Sequence, residues 1–356
     1  MPNRTLLYFE DTDATAQEIV NLLGNALNGF ADVDRFLATE SSEQMYDARL
    51  EHEIALRTSE DSEVVFILSD ADLARTTSFT GLSDANVNKV AGKLGIPAAF
   101  YSSNLVGVEF VKADQAGDGR ILLDKSDPAA MVVEVNLLVR GFCAISDTLK
   151  AIAGLATADR PQDTASLLAA LLGRPEMKNR VKLYISGDQR VGAELLASPS
   201  HGVGRQATIF GTWIYDSLLK YPGMTVGSVA AASYLGIAVE EFAKADVQEL
   251  FAEAIYAGPF QSSERPLWWR DRLDEMLIEA DADDAAVFVA AKLGREIPPC
   301  ICSESKQAPA GFFCMITRQP VSEEHSVGGV SWFPPGADLA RIAESKYDEL
   351  APWLAI

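Results

Sequence analysis

The chain has 356 residues, of which 48% are hydrophobic and 23% are charged, and its formal net charge is −21. A single hydrophobic core seldom grows past roughly 250 residues, so we expect more than one domain. The surplus of acidic residues disfavours binding to nucleic acid or to anionic lipid, because both depend on cationic side chains.

Residues 1–127 alternate short apolar runs with stretches whose apolar residues recur at helical spacing. We predict helices at the latter, including one that spans 83–95 and ends at Gly95. The alternation indicates βαβ units, and therefore a flavodoxin-like parallel sheet covered by helices on both faces in a three-layer α/β domain. The predicted strands lie at 5–9, 32–37, 64–70, 96–103 and 120–127.

Residues 128–179 have a helical pattern, which we interpret as a connector or a helical hairpin packed on the sheet. Their most apolar stretch, 129–156, is interrupted by charged residues such as Glu134 and Arg140. No segment reaches the roughly 20 uninterrupted apolar residues of a membrane span. The N-terminus turns acidic at once and lacks the apolar region of a secretory signal. We therefore predict a cytoplasmic protein with no membrane segment.

Residues 180–282 are predicted to form a winged-helix-like domain that opens with a strand at 180–188, RVKLYISGD. TVGSVAAASYLGIAVEEF, from Thr225, resembles the helix-turn-helix opening of excisionase-type winged-helix proteins. RPLWWRDRLDEML, 265–277, resembles their wing and last helix. The recognition-helix region 239–254 has one lysine and five acidic residues, whereas a helix that reads DNA needs cations and amides. A structural or protein-facing role is favoured over DNA reading.

Residues 283–356 contain three of the four cysteines. Cys300, Cys302, Cys314 and His325 could complete a closed tetrahedral zinc site, which predicts a small zinc-stabilised α+β module. The Cys-Ile-Cys pair differs from the two-residue spacing of most zinc knuckles. Buried free thiols in a reducing cytoplasm, or a redox or catalytic pair, remain as alternatives.

Polar residues stand where the strands of the N-terminal sheet end. They are Glu10 and Asp11 after the first strand, Asp70, Ser102 and Lys125. Parallel strands end at one edge of a sheet, which is where open α/β domains bind their ligands. The sequence therefore predicts a site at this edge, although carboxylates at strand ends also serve as helix N-caps.

This set of residues resembles the receiver domain of response regulators. The resemblance implies that Glu10 and Asp11 bind Mg²⁺, that Asp70 accepts a phosphoryl group, and that Ser102 and Lys125 sense it. A hard cation between carboxylates would neutralise the phosphoryl oxygens. The implied function is that of a regulatory or scaffold protein that senses a phosphoryl group or a small phosphorylated ligand. It would act through protein partners, and self-association stays open.

A second resemblance implies an enzyme. The segment ADLARTTSFTGLSD from Ala71, with LGIPAAFY after it, is similar to nucleoside deoxyribosyltransferase-like and Toll/interleukin-receptor-like domains, which cleave N-glycosidic bonds. Asp84 would then stand in for the glutamate of those families, and Asp70 would share the site. The alternative function is therefore cleavage of N-glycosidic bonds in nucleotides or NAD.

Overall fold

A computed structural model describes residues 3–36, 46–59, 61–71, 73, 83–102, 120–187, 195, 201–331 and 333–354. The chain divides into two compact units: Met1–Pro175 with Ala193–Thr212, and Glu176–Gly192 with Trp213–Ile356. The finer division at 127, 179 and 282 stays a prediction.

The first unit is built on a five-stranded sheet in which every neighbouring pair of strands is parallel. The strand order is β2-β1-β3-β4-β5, which is that of flavodoxin-like folds, and the predicted α/β sheet is confirmed. Its strands are β1 Asn3–Phe9, β2 Asp32–Arg35, β3 Ser62–Asp70, β4 Ala98–Ser102 and β5 Ile121–Asp124.

Helices cover both faces of this sheet. Ile67 packs in one apolar cluster with Val87 of one helix layer. The ring of Phe66, the preceding residue on the same strand, lies 5.8 Å from that of Phe142 in the other layer. Side chains alternate across a strand, so one strand fills both layers. The helices are α1 Asp13–Ala26, α2 Tyr46–Arg57, α3 Asp84–Leu94, α4 Pro128–Gly154 and α5 Thr164–Leu171.

Local signals explain where two of these helices begin and end. Ser83 and Asn86 form a capping box at the start of α3, and Gly95 ends that helix in the left-handed conformation, at φ 68°. The Asp127 side chain accepts backbone N–H groups at the start of α4, and Pro128 occupies the first turn. The predicted helix at 83–95 is confirmed, and α4 lies in the region predicted to have a helical pattern.

Within the described part of the chain, α4 is the one helix long and apolar enough to cross a membrane by length and composition alone. Half of its most apolar window is buried inside the protein. The contact of Phe142 with Phe66 shows that this helix packs on the sheet.

The predicted strand at 180–188 is wrong, because Lys178–Gly187 forms a helix, α6. Val181, Leu183 and Ile185 alternate as strand residues do, yet Val181 and Ile185 also lie four residues apart, on one face of a helix. That face is buried, with Val181 0% and Ile185 5% exposed, whereas Leu183 is 71% exposed. The buried residues therefore recur at the four-residue spacing of a helix and not at the two-residue spacing of a strand.

The second unit continues with short helices and a two-stranded antiparallel ribbon. The turn predicted at Leu235–Ile237 does separate two helices, and Trp268 on the ribbon is fully buried. The winged-helix identity of this region stays a prediction. Helix α7, Val203–Trp213, belongs to the first unit except for its last residue. The elements of the second unit that follow it are a π-helical turn Ile214–Leu219, β6 Thr225–Gly227, α8 Ser228–Tyr234, α9 Val239–Phe242, α10 Ala245–Leu250, β7 Leu267–Trp269, α11 Arg270–Glu279 and α12 Ala285–Leu293.

The C-terminal part of the second unit contains a four-stranded sheet of order β10-β11-β8-β9, followed by a helix. Strand β8 carries Cys314, as predicted from the run FFCMI. Cys300, Cys302 and Cys314 pack into one buried cluster with Val321 and Ala343. The elements are β8 Phe312–Cys314, β9 Pro320–Val321, β10 Ser326–Val327, β11 Ala340–Ala343 and α13 Glu344–Leu354.

Candidate functional site at the carboxyl edge of the sheet

The register of the parallel sheet brings the predicted site residues to one edge. Phe9, the last residue of β1, pairs with Ser69, so Glu10 comes level with Asp70. Asp70 in turn pairs with Tyr101, one residue before Ser102. Lys125 follows β5, and its backbone N–H donates to the Ser102 carbonyl at 3.1 Å.

Glu10 is the buried centre of the site, with only 1% of the residue exposed. Its Oε2 accepts hydrogen bonds from Lys125 Nζ at 2.6 Å and from the Tyr101 hydroxyl at 2.9 Å, and its Oε1 accepts the Thr12 N–H at 3.0 Å. Burial alone would raise the pKa of Glu10, but the hydrogen bonds from Lys125 and Thr12 outweigh it and lower the pKa. The carboxylate is therefore ionised at neutral pH.

Glu10, Asp11 and Asp70 each offer a carboxylate oxygen within 4.8 Å of the others, and no other group of three metal-ligating residues meets that criterion in the described ranges. Oδ1 of Asp11 accepts the Thr12 hydroxyl at 3.2 Å. Oδ2 of Asp11 is buried and has no hydrogen-bond partner among the described residues. A buried oxygen without a partner is rare and costly, so Oδ2 of Asp11 is a candidate cation ligand.

The bonding of Glu10 decides how it could contribute to a metal site. Each carboxylate oxygen has two lone-pair positions, and Lys125 and Tyr101 occupy both positions of Oε2. Oε1 accepts one bond from Thr12, so with respect to the described residues it keeps a second position open. Glu10 could therefore contribute to a metal site through Oε1 and not through Oε2.

Lys125 contacts both Glu10, predicted to bind Mg²⁺, and Asp70, predicted to accept a phosphoryl group. Its Nζ lies 2.6 Å from Oε2 of Glu10 and 3.4 Å from Oδ2 of Asp70. The same nitrogen lies 4.7 Å from the centroid of the Tyr101 ring, within the range of a cation–π contact. The ammonium group is therefore held on three sides and positioned beside Asp70.

Two tyrosines beneath the site were missed in the sequence. Tyr101 donates to Glu10, and the Tyr8 hydroxyl lies 2.9 Å from that of Tyr101. Both residues are fully buried, and burial raises the pKa of each well above its ordinary value, so both hydroxyls remain neutral. The sequence signal that could have found them is a tyrosine within each of two buried strands, because a buried tyrosine hydroxyl normally has a polar partner.

Ser102 and Asp84 take different positions. Ser102 is the last residue of β4, at the same edge as Asp70. Asp84, the predicted residue for N-glycosidic cleavage, begins α3 and forms an ion pair with Arg120, with 2.7 Å between Oδ2 and Nη1. Asp84 does not belong to the carboxylate group at the edge.

The four predicted zinc ligands do not converge in the structure. Cys300, Cys302 and Cys314 share one buried cluster, whereas His325 is half-buried and lies outside it. No three of these four described residues bring their ligand atoms within 4.8 Å of one another. Zinc binding stays a prediction, and the closed four-residue ligand shell is not formed.

No protein-family model and no curated protein matches the chain. Among solved structures, full-length FixJ from B. japonicum is similar at 14% sequence identity, over 59% of this chain and 98% of that one, with a TM-score of 0.25.

Proposed function

We propose that the first unit is a receiver-like switch in which Asp70 accepts a phosphoryl group in the presence of Mg²⁺. The observation that carries the proposal is Lys125, whose Nζ contacts both Glu10 and Asp70. Asp11 belongs to the same group of carboxylates, and its buried Oδ2 has no partner among the described residues. An acceptor carboxylate, a cation site and an ammonium group are the parts needed to neutralise a phosphoryl group as it transfers.

The residues have distinct roles in this proposal. Asp11 and Asp70 hold Mg²⁺, which supplies positive charge for the phosphoryl oxygens. An oxygen of Asp70 attacks phosphorus, the bond from phosphorus to the leaving oxygen of the donor breaks, and the donor departs as its anion. Once the phosphoryl group is attached, Lys125 Nζ can donate either to Glu10 or to a phosphoryl oxygen. Ser102 stands at the same edge of the sheet, where its hydroxyl can donate to a second phosphoryl oxygen.

We place the switch in the cytoplasm and expect it to act through a protein partner. The net charge of −21 argues against a nucleic-acid surface as the output. The ion pair of Asp84 with Arg120 leaves the N-glycosidic alternative without a supporting observation, so the proposal centres on Asp70.

The proposal is tested by labelling the protein with acetyl phosphate. Wild-type protein is expected to incorporate phosphate only when Mg²⁺ is present, and Asp70→Asn is expected to abolish the label. Asp84→Asn is the matched control, because it makes the same chemical change at a carboxylate that is paired elsewhere. Equal labelling of wild type and Asp70→Asn would contradict the proposal.

A further inference from the structure

Two six-residue segments in the C-terminal part of the second unit share a sequence pattern. CSESKQ at 302–307 and CMITRQ at 314–319 both have the pattern Cys, two variable residues, Ser or Thr, Lys or Arg, and Gln. We call them the first and the second Cys turn. The second Cys turn joins β8 to β9. The backbone hydrogen bonds of the two turns can be compared position by position.

The two Cys turns also share one backbone geometry. In each, the cysteine N–H donates to the glutamine carbonyl, at 2.8 Å in the first and 2.9 Å in the second. In each, the basic residue donates its N–H back to the cysteine carbonyl, at 3.0 and 2.9 Å. Lys306 and Arg318, the two basic residues, have φ values of 59° and 57°, in the left-handed region that non-glycine residues seldom adopt. The chain therefore builds the same reversal twice, each time around a cysteine.

Backbone donors point at both sulphurs. Cys314 Sγ accepts the N–H of Thr317 at 3.3 Å and of Ala343 at 3.2 Å. Cys302 Sγ accepts the N–H of Ser322 at 3.3 Å. Both sulphurs therefore accept hydrogen bonds from the backbone, and the thiolate is the form of cysteine that binds metal.

Cys300 lies two residues before Cys302 and outside the repeated turn. The N–H of Cys302 donates to Gln307 within the first Cys turn at 2.8 Å, whereas the N–H of Cys300 donates to the carbonyl of Gly236 at 2.9 Å. The repeated geometry therefore includes Cys302 and Cys314 and leaves out Cys300.

The Cys turns also contain buried oxygens without partners. The hydroxyl oxygens of Ser303 and Thr317 are buried and make no hydrogen bond to any residue that the structure describes. Buried polar atoms are normally satisfied, so an unpaired hydroxyl oxygen in each Cys turn points to a ligand. Thr317 and Ser305 occupy the fourth positions of their turns, where a C-x-x-C zinc knuckle has its second cysteine.

We propose that the two Cys turns form a thiolate metal site that binds Zn²⁺ through Cys302 and Cys314, with oxygen ligands in the remaining positions. Cys300 and His325 are outside the ligand set. Each thiol gives up its proton when the metal binds. Zn²⁺ is usually four-coordinate, so a site with two protein thiolates keeps two positions for hydroxyl or water oxygens. Such a site would hold zinc less tightly than a closed four-thiolate site.

Zinc binding to the reduced full-length protein, followed by competition with a chromophoric chelator, tests the ligand set. One zinc per chain is expected for wild type and for the controls Cys300→Ser and His325→Ala. Cys302→Ser and Cys314→Ser should each weaken binding by roughly tenfold or more, the scale at which even residues beyond the ligands act. Absence of zinc from wild type, or an equal loss in Cys300→Ser, would overturn the proposal.

A gain-of-binding variant avoids the risk that cysteine removal simply unfolds the module. The double variant Ser305→Cys and Thr317→Cys places a thiol at the fourth position of each turn and should bind zinc roughly tenfold or more tightly than wild type. The control Glu304→Cys with Ile316→Cys adds the same number of thiols at the third positions and should leave the affinity near that of wild type. Equal affinities for the two double variants would contradict the assigned geometry.

Discussion

Lys125 Nζ lies 2.6 Å from Oε2 of Glu10, a carboxylate whose side chain is only 1% exposed. The same nitrogen reaches Oδ2 of Asp70 at 3.4 Å. One ammonium group therefore compensates a buried charge and also faces the proposed phosphoryl acceptor. The contact links the stability of the sheet to the chemistry of its edge.

Lys125→Met should destabilise the first unit. Removing one partner of a buried ion pair leaves the other charge uncompensated, which costs about 3 kcal/mol. Urea unfolding would measure the loss. Lys150→Met is the control, because its pair with Glu63 is at the surface, with side chains 48% and 37% exposed, and such pairs contribute less than about 1 kcal/mol. Equal losses in the two variants would show that Glu10 does not depend on Lys125.

The stabilising effect of Glu10 should depend on pH. Its pKa is lowered in the folded protein, so its contribution is complete above the unfolded value of about 4.3 and is lost as the pH falls through the folded pKa. The difference in unfolding free energy between wild type and Glu10→Gln should therefore be constant near neutral pH and shrink in acid. Urea unfolding over a pH series measures it, and a difference that grew in acid would contradict the assignment.

Tyr101→Phe should destabilise the protein more than Tyr8→Phe. Tyr101 donates to the charged carboxylate of Glu10, and such bonds contribute about 1.5–3 kcal/mol, whereas a bond between neutral groups contributes about 1 kcal/mol. Both tyrosines are fully buried, on strands β1 and β4 of the same sheet, so the two variants are well matched. Unfolding free energies that did not differ would mean that the hydroxyl of Tyr101 does not support Glu10.

Mg²⁺ should raise the thermal unfolding temperature of wild type, because a ligand that binds only the folded state stabilises it by mass action. Asp11→Asn should lose this response, since it removes the charge of the carboxylate whose buried Oδ2 has no partner among the described residues. Asp13→Asn is the control, because the side chain of Asp13 is 93% exposed. Differential scanning fluorimetry with and without MgCl₂ makes the comparison, and an unchanged response in Asp11→Asn would rule out Asp11 as a ligand.

The edge of the sheet could be predicted because parallel strands end on one side. Glu10, Asp70 and Lys125 each follow or end an apolar run, and the sheet order brings them together. The role of Tyr101 could not be predicted, because its hydroxyl reaches Glu10 across the sheet, 91 residues away in sequence. Which carboxylate oxygens of Glu10 and Asp11 are open to a metal ion also depends on hydrogen bonds that cannot be read from the sequence.

Two other features show where sequence patterns were insufficient. Val181, Leu183 and Ile185 fit a strand and a helix alike, and only the exposure of Leu183 separates the two. In the cysteine cluster, residue types alone suggested a closed set that included Cys300 and His325. The proposed site uses Cys302 and Cys314 instead, because the repeated turns around these two cysteines become apparent only when their backbone hydrogen bonds are compared.

The most direct test of the proposed switch is to locate the phosphoryl group. Wild-type protein would be incubated with acetyl phosphate and Mg²⁺ and then reduced with borohydride, which converts an aspartyl phosphate to the corresponding alcohol, and its peptides would be sequenced by mass spectrometry. The receiver-like account predicts reduction at Asp70 alone, dependent on Mg²⁺. Modification at another carboxylate such as Asp84, or no modification of wild type, would contradict it.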